Sequence, residues 1–501
     1  MATAVLYPQT TPSDYHRIIS PTLKISEDIK VPIPVGILAC QRDPLLRTLD
    51  TAVVAASLSQ PAAIPAKKPA KKSVIAPAIP NDPLLEVILH DTVIFPEGGG
   101  QPTDTGLITT NADGVTWEVL QAKRHGGHAV HYVRVKEGDT DTALLAFSPG
   151  AKVTVALGQE GYDRRYDHMS MHTSQHLLSA LLESRLELPT LSWSLTAYPS
   201  PCYVEVPRGM TIEEVVSIQN EANRLVFEGR RVHVEVEELD RTEEKPTTVL
   251  QTGRAVGKGL PEDYTGGVKR VVVIDGVDRN PCCGTHLPSI HNLQLFLLPH
   301  TDALSRSNTT NARLYFLAGP RLITYLTSTH NLLTSTASVL SCGVPQVPER
   351  VNQVVDERRK AEKRLSDIEA ELVQHLAKEI IGEMAQRGDG GLFKKIIHRT
   401  DDSGNTLGFL SAFSLAFSTL ADSAQPYLIL LGSSPSSQTT TSTTIFLLFS
   451  SDDKKIKEVG DGLKSKLGVK GGGKGLKWSG KYVGVWREKE SVALRELLDG
   501  I

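Results

Sequence analysis

Between Leu85 and Leu157 apolar and polar positions alternate in short runs separated by turn residues: LEVILHDTVIF, TGLITT, TWEVLQAK, HAVHYVRV and AKVTVAL. Period-two patterning with β-branched and aromatic residues predicts short strands, and several in succession predict a small antiparallel β-barrel. The period then changes. From about 168 to 187, Leu177, Leu178, Leu181 and Leu182 make an apolar stripe at helical spacing, and no Gly or Pro interrupts Met169 to Leu186. SWSLTAYP and CYVEVP read as strands. A helix from about Thr211 to Glu228 opens on Thr211 with Glu214 three residues later, a capping-box pattern. VHVEVEEL and VKRVVVIDG read as further strands, so this region is α+β, with helices on an antiparallel sheet.

Beyond residue 318 the pattern changes twice. In residues 319–388, Val351, Val354, Val355, Leu365, Ile368, Leu372 and Leu376 recur at helical spacing among charges, which predicts a helical hairpin or short coiled coil. Residues 389–501 alternate β and α runs, with a low-complexity loop from Ser433 to Thr443, and predict a C-terminal α/β domain. At the other end, the polar, Pro-punctuated residues 1–36 read as an extension with little structure. The Ala-, Pro- and Lys-rich residues 59–82 read as a flexible, solvated insertion within a barrel domain spanning 37–157. A ligand-bearing domain then spans 158–318.

Bulk properties narrow the class without naming a chemistry. The 501 residues allow two to four domains, and 40% hydrophobic with 22% charged residues is ordinary for a globular protein. A formal net charge of −3 gives no global basic field, so any nucleic-acid contact must rely on local patches. Five cysteines, few and odd in number, argue against a disulfide framework and for a reducing compartment. No apolar run is long enough for a membrane span, and the N-terminus shows neither a secretory nor a transit-peptide pattern, so the cytoplasm is expected.

The chemistry concentrates in two motifs about a hundred residues apart. His172-x-x-x-His176 places two imidazoles one helical turn apart on one face. Cys282-x-x-x-His286 adds a thiolate and a third imidazole, and a Cys/His₃ set suits zinc. Either motif alone is weak. Gly468 to Lys474 fits G-x-x-x-x-G-K, but Gly475 stands where a P-loop needs the magnesium-binding hydroxyl, so a P-loop is rejected.

Four motifs in order give a more specific signal. Phe95-Pro96-Glu97-Gly98-Gly99-Gly100-Gln101-Pro102, followed by Asp104 and Gly106, resembles the FPEGGGQP signature of the free-standing alanyl-tRNA editing proteins, themselves similar to the editing domain of alanyl-tRNA synthetase. Arg165-Tyr166-Asp167-His168-Met169 precedes the two histidines as in that family. Gly257 to Gly266 resembles its glycine-rich stretch, and Ile274-Asp275-Gly276-Val277-Asp278 runs into Cys282-Cys283-Gly284-Thr285-His286, which resembles its C-x-G-T-H element. The resemblance runs from about Ala39 to Gly319 and is nearest to the longer eukaryotic form; the last segment resembles, more weakly, the synthetase's C-terminal domain.

The resemblance implies a zinc-dependent, trans-acting hydrolase. It would deacylate the acceptor end of mischarged tRNA(Ala), mainly Ser-tRNA(Ala), with His172, His176, Cys282 and His286 as ligands. Cys282 has the family's offset to His286, and Cys283 stands beside it where the family often has Gly. An alanine pocket cannot strongly reject an isostere bearing one extra hydroxyl, so a second site that hydrogen-bonds that hydroxyl is needed. Thr173, Ser174 and Gln175 lie in the ligand turn; Thr173 and Gln175 are the candidate polar contacts, and Ser174 reads as helix surface or cap. Lys470, Lys474, Lys477 and Lys481, in a basic Gly-rich loop, are candidate tRNA phosphate contacts. Too few residues precede the editing-like region for an activation domain, so no ATP use is expected. The alternative from another class is a zinc-stabilised RNA- or protein-binding adaptor without hydrolysis.

Overall fold

The computed structural model describes residues 10–59, 82–135, 140–239, 268–303, 310–387, 390–402, 404–421 and 425–501, with strand backbone at 248–249 and 255–256. The chain forms two compact units, Met1–Leu333 and Thr334–Ile501. The insertion at 60–81 and the glycine-rich stretch at 257–266 lie outside the described residues.

Residues 10–36 are not the loose extension that their composition suggests. Strand β1 (His16–Ile18) runs parallel to β10 (Val232–Glu238), and Tyr15, Ile33 and Val35 are buried in the core of the N-terminal unit. Their apolar residues are too sparse to register as a period, and only some of them, Tyr15, Ile33 and Val35, are buried. Helix α1 (Ala39–Arg42) follows.

The barrel closes as expected, with one strand that the patterning did not single out, β2 (Thr48–Leu58). With β3 (Leu84–Leu89), β4 (Gly106–Thr110), β5 (Thr116–His125), β6 (His128–Arg134) and β7 (Lys152–Ala156) it forms a closed antiparallel barrel in the order β2-β3-β6-β5-β4-β7. Leu85, Val87 and Leu89 alternate inward from β3, as do Val153 and Val155 from β7, and closure leaves no open edge. A short helix, α2 (Thr140–Ala146), precedes β7.

Helix α3 (Gly158–Leu186) begins well before the expected 168, because its first turns bury Arg165 between Tyr162 and Tyr166 rather than a stripe of leucines. Arg165 is fully buried and its Nε donates to Asp104 at 2.7 Å, in the segment that follows the FPEGGGQP loop. No hydrophobic period could reveal such turns. The helix ends at Glu187, whose φ of 55° is left-handed, with Leu188 N–H donating to Leu182 C=O at 3.1 Å.

Strands β8 (Ser192–Ser194) and β9 (Cys202–Val206) lead to α4 (Ile212–Glu228), whose Thr211 cap and Glu214 form the capping box expected. Beyond β10, β11 (Thr248–Val249) pairs with β12 (Ala255–Val256). Strand β13 (Val268–Ile274) and β14 (Asp278–Pro281) complete a four-stranded sheet, β1-β10-β13-β14. Strands β15 (Phe296–Leu297), β16 (Thr301–Ala303) and β17 (Ala312–Ala318) form a second sheet with β9 and β8. Helix α3 packs against α4, β14 and β17, which fixes its ligand face against the end of β14. On α5 (Gly319–Val339), buried Arg321 pairs with Asp167 of α3 at 2.6 Å. The N-terminal unit is therefore α+β, with a barrel.

In the C-terminal unit, α6 (Val347–Gln386) is a single forty-residue helix. Its seam residues Val351, Val354, Val355, Leu365, Ile368 and Leu372 are exposed, so the expected coiled-coil packing is not formed at these positions among the described residues. Only its last turns, at Val373, Ala377, Ile380 and Met384, enter a core, with α7 (Thr406–Leu420). Strands β18 (Phe393–Thr400), β19 (Tyr427–Ser434), β20 (Thr443–Ser450), β21 (Lys470–Lys474) and β22 (Lys477–Val483) form one sheet in the order β18-β19-β20-β22-β21. Ile429 and Leu431 face α6 and α7, while Leu428 and Leu430 face α8 (Asp453–Leu467) and α9 (Glu488–Asp499). The basic Gly-rich stretch read as a loop is thus a β-hairpin, and Lys477 Nζ donates to Ser414 Oγ at 2.9 Å.

Candidate metal centre

The site's first half follows from helix geometry alone. One turn of α3 separates His172 from His176, and their ring centroids lie 5.4 Å apart. The second half is the loop leaving β14. It brings Cys282 Sγ to 3.3 Å from His172 Nε2 and 3.4 Å from His286 Nε2. Ligand atoms of His172, His176, Cys282 and His286 all lie within 4.8 Å of one another, and all four residues are buried. Tetrahedral zinc with ordinary Zn–S and Zn–N bonds sets sulfur–nitrogen edges of about 3.6 Å. The donor set and spacing fit such an ion.

Each imidazole is held by its far nitrogen. His172 Nδ1 donates to Gln101 Oε1 at 3.0 Å; that oxygen also accepts from Thr285 N–H, while Gln101 Nε2 donates to Thr285 Oγ1 at 2.8 Å. His176 Nδ1 donates to Asp278 Oδ2 at 2.9 Å. His286 Nδ1 faces Thr173 Oγ1 at 3.4 Å, and that hydroxyl accepts from Leu287 N–H at 3.1 Å. The Nε2 atoms are thereby left for a metal, the arrangement that fixes ring orientation in metal sites. Gln101 and Asp278 lie in motifs singled out from the sequence, but their roles emerge only in three dimensions.

The loop needs outside clamps. Fully buried Arg270 of β13 donates to the carbonyls of Cys282 at 3.0 Å, Gly284 at 2.5 Å and Gln41 at 3.4 Å. Gln41 Nε2 donates to Cys283 C=O at 2.7 Å, and Tyr15 OH to His286 C=O at 3.0 Å. Gly284 is required by contact: a Cβ there would lie 2.2 Å from His172 Cε1. Gln41 and Tyr15 lie more than two hundred residues from the loop, Arg270 lies on the strand paired with β14, and no local signal marks any of the three.

Electrostatics separate the two halves. Burial opposes ionisation of the Cys282 thiol, but the facing imidazoles of His172 and His286 outweigh it and hold the thiol well below its ordinary range. Burial also opposes protonation of His176, yet Asp278 and Cys282 outweigh it and lift the imidazole to about 9 in the metal-free protein. His172 and His286 are shifted down, chiefly by burial. Cys283 is pushed up to about 11 by burial and by its neighbour Cys282; its Sγ packs beneath Gly98 and Gly99.

The glycine loop and an indole wall the site. Gly100 has φ +80°, and a Cβ there would lie 2.7 Å from Trp193 Nε1. Trp193, half-buried on β8, stacks on the His172 ring at 4.8 Å. Of the other sequence candidates, Thr173 is fully buried with its hydroxyl at His286. Half-buried Gln175 donates to Ser179 Oγ at 2.8 Å. Ser174, read as helix surface, is buried instead, and its hydroxyl has no hydrogen-bond partner among the described residues.

No protein-family model matches the chain. Curated relatives do. The alanyl-tRNA editing protein Aarsd1 of Mus musculus is 30% identical over 91% of this chain and 96% of its own length. The putative alanyl-tRNA editing protein alaX of Saccharomyces cerevisiae is 30% identical over 93% of this chain and 97% of its own. An alanine–tRNA ligase of Thermococcus kodakarensis is 28% identical over 63% of this chain but only 32% of its own length. With such likeness along nearly the whole of both free-standing relatives, and with the signature residues assembled around one buried quartet, the chain belongs to the alanyl-tRNA editing proteins.

Proposed function

We propose that this protein is a trans-acting deacylase that hydrolyses the ester joining a wrong amino acid, mainly serine, to the acceptor end of tRNA(Ala). The observation that carries this reading is the buried His172, His176, Cys282 and His286 quartet, with each imidazole held from behind. Relatives named as alanyl-tRNA editing proteins support the substrate class. A zinc ion held by the quartet would anchor the substrate end, and would supply Lewis-acid polarisation of the ester where one of the four ligands gives way to substrate.

The chain's own residues supply position and enclosure. Gln101, Asp278 and Thr173 orient the rings, and the thiol of Cys282 is poised as a thiolate ligand. The Gly98–Gly100 loop and Trp193 narrow the space beside His172. For selecting serine we propose the hydrogen-bonded run from Gln175 through Ser179 to Thr190, with Thr173 serving instead to hold His286. A site that hydrogen-bonds a substrate hydroxyl discriminates against the analogue lacking it far better than a pocket can reject the added group. An aminoacyl ester is already activated, so the reaction needs no ATP. Among the described residues no helix is long and apolar enough to cross a membrane, and we place the enzyme in the cytoplasm.

The test is serine release from Ser-tRNA(Ala) beside Ala-tRNA(Ala), with wild type and His172→Ala. Rapid serine release that is lost in the variant, with Ala-tRNA(Ala) spared, is expected. Intact Ser-tRNA(Ala) in a zinc-loaded preparation would overturn the reading.

A further inference from the structure

The glycine loop that walls the metal centre is backed by a second element that the reaction has not used. Glu97 N–H donates to Ala122 C=O at 3.1 Å, and Glu97 bridges Lys123, so the loop lies along the β5–β6 hairpin. The contacts continue inward: Gly98 and Gly99 cover Cys283, and Gly100 meets Trp193, which stacks on His172. The hairpin tip therefore stands at the rim of the site.

Its composition is one-sided. Residues 123–128 read Lys-Arg-His-Gly-Gly-His, with two permanent cations, two histidines and no acid, in a chain whose net charge is −3. Glu97, whose backbone bridges Lys123, is exposed; Lys123 and Arg124 are half-buried, with the Lys123 ammonium 5.4 Å over the Tyr132 ring. His125, Gly126 and His128 are exposed, and Gly126 turns with φ 60°, so the tip is small and open to a backbone. It carries no apolar anchor of the kind that a protein partner's interface core requires.

We propose that the tip of this hairpin, through Lys123 and Arg124 with His125 and His128 beside them, is a rail for phosphates of the single-stranded 3′ end of the substrate tRNA. This rests on the deacylase reading. A basic track beside an aromatic platform is how single strands are held irrespective of sequence, and Trp193 lies across the glycine loop from the track. The rail would aim the strand so that its last residue reaches the quartet.

The experiment compares wild type with Lys123→Gln, Arg124→Gln and the double variant, each checked for unchanged zinc content. Two substrates are used: Ser-tRNA(Ala), over a range of salt, and 3′-O-seryl-adenosine, which has no phosphate. The rail predicts a roughly tenfold fall in kcat/KM on the tRNA for the double variant, expressed in KM. It also predicts a salt slope shallower by about 0.7 per lost contact, and no comparable fall on seryl-adenosine. Lys123→Arg should retain the slope. An unchanged slope, or an equal loss on both substrates, would overturn the rail. If wild type cleaves neither substrate, the deacylase reading fails instead. Binding of uncharged tRNA by the same variants then decides the rail alone, and an unchanged salt slope there rejects it.

Discussion

The two halves of the candidate metal centre are built by opposite means. His172 and His176 owe their relation to one turn of a helix buried along most of its length, and each ring needs one further hydrogen bond. Cys282 and His286 sit on a loop with no such internal geometry. Arg270, Gln41 and Tyr15 pin four of its carbonyls from β13, α1 and the N-terminal segment. A helix carries its own register, whereas a loop must borrow one. The loop half should therefore be the part whose loss costs metal before it costs fold.

The largest contrast is expected between two buried arginines. Arg270→Met leaves two loop carbonyls without this donor and should weaken zinc binding about thirtyfold or more, from about 1–3 kcal/mol for each buried group left unsatisfied. Arg165→Met breaks the buried pair with Asp104 and should cost about 3–5 kcal/mol of stability, with a smaller effect on affinity in protein that remains folded. Zinc titration and thermal unfolding of both variants would break the comparison if the two losses ran in parallel.

Next come the groups behind the rings. Gln101→Ala and Asp278→Asn should each lower zinc affinity about 10–100-fold. They differ in pH response. In the metal-free protein His176 is raised to about 9, so its proton competes with metal below that pH, and affinity should rise about tenfold per unit until it levels there. Cys282 is shifted down and adds no such slope near neutrality. Asp278→Asn removes the carboxylate that lifts His176, so its affinity should level at a lower pH; an unshifted plateau would separate His176 from the effect.

Gly284→Ala forces a methyl into the His172 ring and should cost about 1–3 kcal/mol in metal binding. Tyr15→Phe deletes one hydrogen bond to the loop and should cost about 1 kcal/mol, read as a severalfold rise in zinc dissociation constant. An effect of Tyr15→Phe on thermal stability alone would make the N-terminal segment a brace for the fold rather than for the loop.

These supports mark the limit of what could be read in the sequence. Five of the six barrel strands and the capped helix Ile212–Glu228 were legible, because each rests on local periodicity, whereas the quartet that folding brings together was marked by two weak spaced motifs and by the family resemblance around them. Strand β1 was not: the parallel partner of His16–Ile18 lies more than two hundred residues away, and its few apolar neighbours make no period. The first turns of α3 were hidden because they bury an ion pair instead of leucines. In the site, Gln101 and Asp278 were visible as motif letters without roles. Arg270, Gln41 and Trp193 carried no mark, since only folding sets them beside the quartet. On α6 the apolar spacing was read correctly as helical, but spacing alone does not supply a partner, and the seam is exposed.

X-ray absorption at the zinc edge of the loaded protein, wild type beside Cys283→Ala, tests the four-ligand centre most directly. The account predicts one sulfur at about 2.3 Å and three nitrogens at about 2.0–2.1 Å, unchanged in the variant. Two sulfurs, or a sulfur lost with Cys283, would contradict it.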